Sequence, residues 1–355
     1  VLITRVVSKL ELGGAQLSLL RVARALAVRG HRTRLLAGTA TPAGLRLARA
    51  HGVEGEVMGS KLDLQWHCDP EFAAWLAPRL AGAEVVHAHM LGSWWAAASA
   101  VPDGVPLIAS EHNGYAWRGG PPWTAMAEVA ERVDRFYAYG PGARAGAVQA
   151  GIREERIRRG ISPVAGMDAT QRPGLPFPRI VFSGRLARDK APDILIDAVS
   201  RLAAPPPVLI LGSGVLLDRL RAQVVLAGLE SVVRFCGWVD EPGPWVAGAS
   251  VQACPSRDEA FSQTAVLAMG LGVPVVGTDV DGFPETLADH RGVIVPPEDP
   301  EALAVALDQI LAGRSRPDTA AARVWSRQFD VEKVATVYEQ AYEDLRVGTA
   351  PELGS

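Results

Sequence analysis

The stretch from 253 to 285, ACPSRDEAFSQTAVLAMGLGVPVVGTDVDGFPE, gathers residue types that handle an anion. Val251–Cys254 reads as a strand and the polar run Pro255–Ala260 as a turn. A helix follows from about Phe261 or Ser262 to Leu271, then a short apolar strand over Val273–Val276. A polar turn that opens a helix presents unpaired backbone N–H groups and the positive end of the helix dipole, which together make an anion site. Phe261, Ser262, Gln263 and Thr264 would supply the amides, with two hydroxyls among them, and Glu259 stands just ahead. Upstream, Arg185 and Lys190 follow a strand and the turn at Gly184. Such a cationic pair could stabilise the charge of a departing diphosphate without a metal, although arginine and lysine are common on any surface.

The N-terminal half offers further candidates. Residues 1–8 read as an apolar strand feeding the turn Leu12–Ala15, with a helix through about Arg29 and a strand over Thr33–Ala37. This is a right-handed βαβ unit. Gly13 and Gly14 would let the backbone approach a diphosphate; a plain tight turn uses the same residues. Glu84–His89 reads as a strand ending His87-Ala88-His89, and Leu91–Ala100, with Trp94 and Trp95, as the next helix. The two histidines share a strand face, which suits pocket lining or simple packing, since no third metal ligand lies near in sequence. Strand Pro106–Ala109 runs into Ser110-Glu111-His112-Asn113-Gly114. A histidine just past the C-terminal edge of a parallel strand sits where open α/β sheets bind ligands; an ordinary hydrogen-bonded loop histidine is the alternative. The aromatic loop 115–123 could line an acceptor or simply cap the surface.

Around these candidates, 355 residues rich in Ala, Val, Leu and Gly predict two α/β domains. Ser162–Pro178, with four prolines and no periodicity, reads as the linker. The expected division is residues 1–165, residues 175–325, and a helical tail over 326–347. A net charge of −3 gives no sign of a nucleic-acid partner. No Cys/His cluster has zinc spacing, and Cys236 and Cys254 read as packed thiols. No apolar run approaches the roughly 20 residues that span a bilayer, so a cytoplasmic home is expected.

The central stretch resembles the nucleotide-sugar site of the retaining GT-B glycosyltransferases with a Glu-x7-Glu signature (family 4 type). The matching pieces are Glu259, Ala268-Met269, Gly272, Pro274-Val275 and Gly282-Phe283-Pro284-Glu285. One departure is sharp: the second glutamate of the pattern falls at Leu267, which can accept no hydrogen bond. Ala260 and Ser262 also stand where the family has glycines.

That resemblance implies two Rossmann-like doubly wound domains facing a cleft, with a C-terminal helix crossing back to the N-terminal domain. It implies a metal-independent, retaining transfer from a nucleotide sugar, by family habit a UDP-sugar, with no other cofactor. Arg185 and Lys190 would neutralise the leaving diphosphate, and Glu259 and His112 would hold hydroxyls of the transferred sugar. Gly237 and Trp238 would flank the base, while Gly13, Gly14, Gly184, Phe261, Ser262, Gln263, Thr264 and position 267 would complete the donor site. Trp94, Trp95, Glu111 and Asn113 are the acceptor-side candidates. His87–Met90, Trp94-Trp95 and Ala109–Asn113 are also similar to aminoglycoside-pathway enzymes that add a sugar to a 2-deoxystreptamine pseudodisaccharide such as paromamine. Asp63, Asp69, Glu71 and Glu111 could meet such a polycation, or be solvated loop acids. A lipid-linked or cell-wall glycan is the rival acceptor, and a non-catalytic GT-B-shaped binding protein the rival function. Epimerases and phosphorylases would keep the fold with different site patterns. Oligomeric state has no signature.

Overall fold

The computed structural model describes residues 1–59, 68–114, 117 and 122–348. Contact density divides the chain into two units, residues 1–163 together with 331 onward, and residues 164–330.

The first unit alternates strand and helix. Its elements are β1 (Leu2–Leu10), α1 (Gly14–Val28), β2 (Arg32–Ala40), α2 (Pro42–Ala50), β3 (Gly55–Val57), α3 (Pro70–Leu80) and β4 (Val85–His89). They continue with α4 (Leu91–Ala100), β5 (Leu107–Glu111), α5 (Trp123–Ala130), β6 (Arg135–Ala138), α6 (Pro141–Gln149) and β7 (Ile157–Arg159). All strands run parallel in the order β3-β2-β1-β4-β5-β6-β7. The order reverses between β1 and β4, the topological switch point where such sheets take ligands. Parallel sheets need cover on both faces, and the sequence supplies it: β4 and β5 are buried at every position. Helix α4 is Ala-rich and buried nearly all round.

The second unit comprises β8 (Ile180–Ser183), α7 (Pro192–Val199), β9 (Val208–Leu211), α8 (Leu217–Leu226), β10 (Val233–Gly237) and α9 (Gly243–Val246). Next come β11 (Val251–Cys254), α10 (Gln263–Gly270), β12 (Val275–Thr278), α11 (Phe283–Thr286), β13 (Val293–Val295), α12 (Pro300–Leu311) and α13 (Thr319–Ser326). Its parallel order is β10-β9-β8-β11-β12-β13, with the switch between β8 and β11. β12 begins two residues later than expected because Gly272, at φ +72, ends the preceding turn and Val273 packs beneath α10 without pairing.

The last helix, α14 (Val331–Gly348), returns to the first unit as expected. Arg29 at the end of α1 donates to Glu332 (2.7 Å) and Glu339 (2.6 Å), and Arg346 donates to Glu84 (2.7 Å). Tyr338 and Tyr342 bury the inner face of the helix. The expected linker is instead tied to the second unit. Val164 pairs with Asp330, Arg172 accepts cover from Trp245 (4.8 Å), and buried Arg179 donates to the carbonyls of Pro176, Trp245 and Ala247. Prolines removed the periodicity that a sequence reading depends on, while backbone carbonyls and one buried guanidinium hold the segment down.

Candidate functional site

In the second unit the loops that leave β8 and β11 meet at the switch point. The first carries Gly184, Arg185 and a short 3-10 turn over Arg188–Lys190; the second carries Pro255–Ser262. Lys190 Nζ lies 2.6 Å from Glu259 Oε2, joining the two loops. Ser256 Oγ reaches the same oxygen at 3.4 Å. Burial alone would lower the Lys190 ammonium, but the charges of Glu259 and Asp189 outweigh it and hold the group above its ordinary value. Arg185 is 40% exposed in its side chain and pairs with Asp189 at 2.9 Å.

The loops are locked by groups that sequence inspection missed. Arg257 forks onto Asp193 (2.9 and 2.7 Å) and reaches Glu298, while its backbone N–H donates to the Asp189 carbonyl (2.8 Å). Those two carboxylates raise the already high pKa of the guanidinium. The only sequence signal was its place, two residues ahead of Glu259. Glycines permit the close approach. A Cβ on Gly212, at φ +144, would stand 1.8 Å from the Gly184 carbonyl oxygen, and one on Gly282 would stand 1.9 Å from that of Ala260.

Ser262 caps α10, its Oγ accepting from the Ala265 N–H at 3.3 Å. Gln263 and Thr264 form the first turn, half-buried, and Phe261 packs edge-on to Phe329 (4.9 Å). Beneath them the Cys254 thiol is pushed up to about 12, first by burial and then by the Glu259 charge. Gly237, at φ +71 with open space around it, and half-buried Trp238 lie at the end of β10. The Trp238 indole N–H donates to Asp240 (2.8 Å). Lys190, Glu259, Arg185 and the α10 N-terminus are thus brought to one sheet edge.

The first unit carries its own constellation at the ends of β4 and β5. His112 is half-buried and stacks on Tyr139 (4.0 Å). Its Nε2 lies 3.3 Å from His89 Nδ1. Burial pushes the His112 imidazole down to about 3, so it is neutral in the working range. Gly13 caps α1 and Gly14 begins it, past the end of β1.

Two expectations, Trp94 and Glu111 as acceptor contacts, are corrected. Trp94 is fully buried against Trp117 and Phe136, so it is a core residue that no acceptor touches. Half-buried Trp95 gives its indole N–H to the Ala125 carbonyl (3.0 Å), which ties α4 to α5 and leaves part of the ring exposed. Glu111 is also wholly buried, where backbone N–H groups of His112, Asn113 and Leu91 surround its carboxyl. Burial raises that carboxyl to about 8 despite those bonds, so it holds the loop and meets no solvent. Leu267 is 3% exposed, with Gly166 beside its methyl, so the contact the family gives to a glutamate has no counterpart in this side chain. Among the other acids, Asp69 caps α3 by accepting from Glu71 and Phe72, half-buried Asn113 stays beside His112, and Asp63 lies outside the described residues. One group with metal-ligand spacing occurs among the described residues, His31, Glu339 and Glu343. Arg29 bonds the same Glu339, which makes it part of the α1–α14 ion-pair network.

Two parallel Rossmann-like sheets with a C-terminal helix returning to the first unit define the GT-B class. Residues 12–161 match the family described as Glycosyltransferase Family 4, and residues 177–313 that of Glycosyl transferases group 1. Residues 12–161 thus belong with the first of these glycosyltransferase families and residues 177–313 with the second. It is 31% identical over 215 residues to a D-inositol 3-phosphate glycosyltransferase of Jonesia denitrificans, covering 56% of this chain and 48% of that protein. The same-named protein of Streptomyces bingchenggensis is 34% identical over 204 residues, covering 52% and 44%. The chain spans about half the length of the curated relatives it matches. In fold it is similar to Anabaena Alr3699/HepE in complex with UDP-glucose (TM-score 0.80, 19% identity, 97% of this chain and 99% of that one). Sucrose-phosphate synthase from Thermosynechococcus elongatus is comparable (TM-score 0.78, 19% identity, 98% and 99%). No helix of the described residues is long and apolar enough to cross a membrane.

Proposed function

We propose that the chain transfers a glycosyl group from a UDP-sugar to a hydroxyl of a small cyclitol, with retention and without a metal. The observation that carries this reading is the Lys190–Glu259 pair at the β8/β11 switch point, beside Arg185 and the capped start of α10. Cations and helix amides suit a diphosphate, and the Glu259 carboxylate suits a sugar hydroxyl. In the step itself the bond from the anomeric carbon to the phosphate oxygen breaks. The acceptor oxygen bonds that carbon on the same face, and its proton passes to the departing phosphate. Lys190 and Arg185 stabilise the charge that develops there. His112, neutral, hydrogen-bonds another hydroxyl of the sugar.

A UDP donor is favoured by family habit and by fold relatives whose structures hold UDP or UDP-glucose. For the acceptor, the curated relatives described above are named for D-inositol 3-phosphate. A 2-deoxystreptamine acceptor rests on the resemblance carried by residues 60–72 and 84–123 alone, and none of those relatives is named for one. Paromamine is the acceptor proposed; inositol 3-phosphate is the second reading, favoured by those relatives and by the burial of Glu111, which leaves one fewer carboxylate for an amine. Calorimetric titration with UDP and with GDP in EDTA tests the donor site, and micromolar UDP binding is expected. Binding of neither nucleotide would leave the non-catalytic reading. A transfer screen over both acceptors then separates them.

A further inference from the structure

The side chains beneath His112 decide which of its ring nitrogens carries the proton. Arg5, on β1, is 1% exposed, and its Nη1 lies 3.4 Å from His89 Nε2. His89 Nδ1 in turn lies 3.3 Å from His112 Nε2. A guanidinium offers donors only, so His89 Nε2 must present a lone pair to it. A neutral imidazole has one N–H, which for His89 is then on Nδ1 and donates to His112 Nε2. His112 Nε2 is thereby the acceptor, and its own proton stands on Nδ1, the nitrogen that His89 does not engage. Both rings are neutral: burial holds His89 well below its ordinary value and His112 at about 3.

The rest of the cluster fixes the rings in place. His87 stacks on His89 at 4.1 Å and is anchored through Nδ1 to the Tyr342 hydroxyl (2.8 Å) and through Nε2 to Ser110 Oγ (2.7 Å). Tyr139, stacked on His112, is held by the Tyr338 hydroxyl at 2.6 Å. Arg5 itself has no carboxylate; its Nε and Nη2 are buried without a bond among the described residues. A buried guanidinium left partly unsatisfied destabilises the fold, which argues for a task other than packing.

We infer that Arg5 and His89 are positioning residues that hold His112 in its Nδ1–H tautomer, so that a neutral His112 meets the transferred sugar as a hydrogen-bond donor. This rests on the proposed assignment of His112 to the sugar. The test is nitrogen NMR of the full chain labelled at histidine, without donor, with the His112 signals assigned by their loss in His112→Ala. The expected spectrum has a protonated Nδ1 and a bare Nε2 for His112. Arg5→Met should shift it toward the other tautomer and lower kcat by about tenfold with UDP affinity unchanged, and Arg5→Lys should restore much of both. A protonated Nε2 in the wild type overturns the inference, and the wild-type spectrum decides this even if Arg5→Met does not fold. So does an unchanged spectrum in folded Arg5→Met, or full turnover in a variant whose tautomer has switched. The expected tautomer together with wild-type transfer by His112→Ala would uphold the relay and overturn the role of His112 in the proposed function.

Discussion

Replacing Lys190 by methionine removes an ammonium that holds two loops together, so it should cost stability as well as turnover. The Lys190 side chain is 22% exposed and that of Glu259 is 9% exposed, with 2.6 Å between them. Breaking a fully buried pair costs about 3–5 kcal/mol and an exposed one under about 1 kcal/mol, so this partly buried pair should cost about 2–3 kcal/mol. Without Lys190, Glu259 Oε2 keeps only Ser256 Oγ at 3.4 Å. Scanning calorimetry should show the transition of the second unit lowered by about 4–12 °C. Glu259→Gln added to Lys190→Met should cost less than the two single changes summed, by about 1–3 kcal/mol. Turnover should fall by about 10²–10³, the effect of losing one preorganised charge partner. The pH dependence has a definite sign. Lys190 is raised in the fold, so its contribution is constant through neutral pH and is lost only as pH climbs past the ordinary lysine value of about 10.4. Strictly additive single and double changes would refute the coupling of Lys190 to Glu259.

Two other positions give sharp outcomes. Glu111, raised to about 8 by burial, binds a proton on folding; the stability this gives is complete below about pH 4.3 and is lost as pH rises toward 8. Denaturant unfolding across that window should show a decline of at most about 5 kcal/mol in the wild type that Glu111→Gln flattens, and an identical slope in both proteins would contradict the buried neutral acid. Leu267→Glu places a carboxylate at a site 3% exposed, so it should lose about 3 kcal/mol or more in calorimetry, with no gain in UDP affinity. Unchanged stability with tighter UDP binding would mean that position 267 faces the nucleotide.

Much of the candidate site in the second unit was legible because its parts are local. The strand at 251–254, the cap at Ser262 and the glycine turns each carry their signal within a few residues. The meeting of Lys190 with Glu259 follows from sheet order, since β8 and β11 are neighbours although β9 and β10 intervene in sequence. The candidates of the first unit were less legible. Tryptophan beside tryptophan at 94–95 carries the same letters whether it lines a pocket or fills a core, and only burial separates them. Glu111 and Asp69 looked like surface acids, yet one binds backbone amides under the sheet edge and the other caps α3. Arg5, His89 and Tyr139 lie far apart in sequence and become a chain only when β1, β4 and the turn after β6 are placed side by side.

The most direct test of the proposed reaction is an end-point transfer assay in EDTA. The full chain would be incubated with a UDP-sugar and either paromamine or inositol 3-phosphate, and the product's anomeric configuration read by NMR. A glycosylated cyclitol with the donor's own anomeric configuration is the predicted result. Product that forms only when a divalent metal is restored, or that carries the inverted configuration, would contradict it.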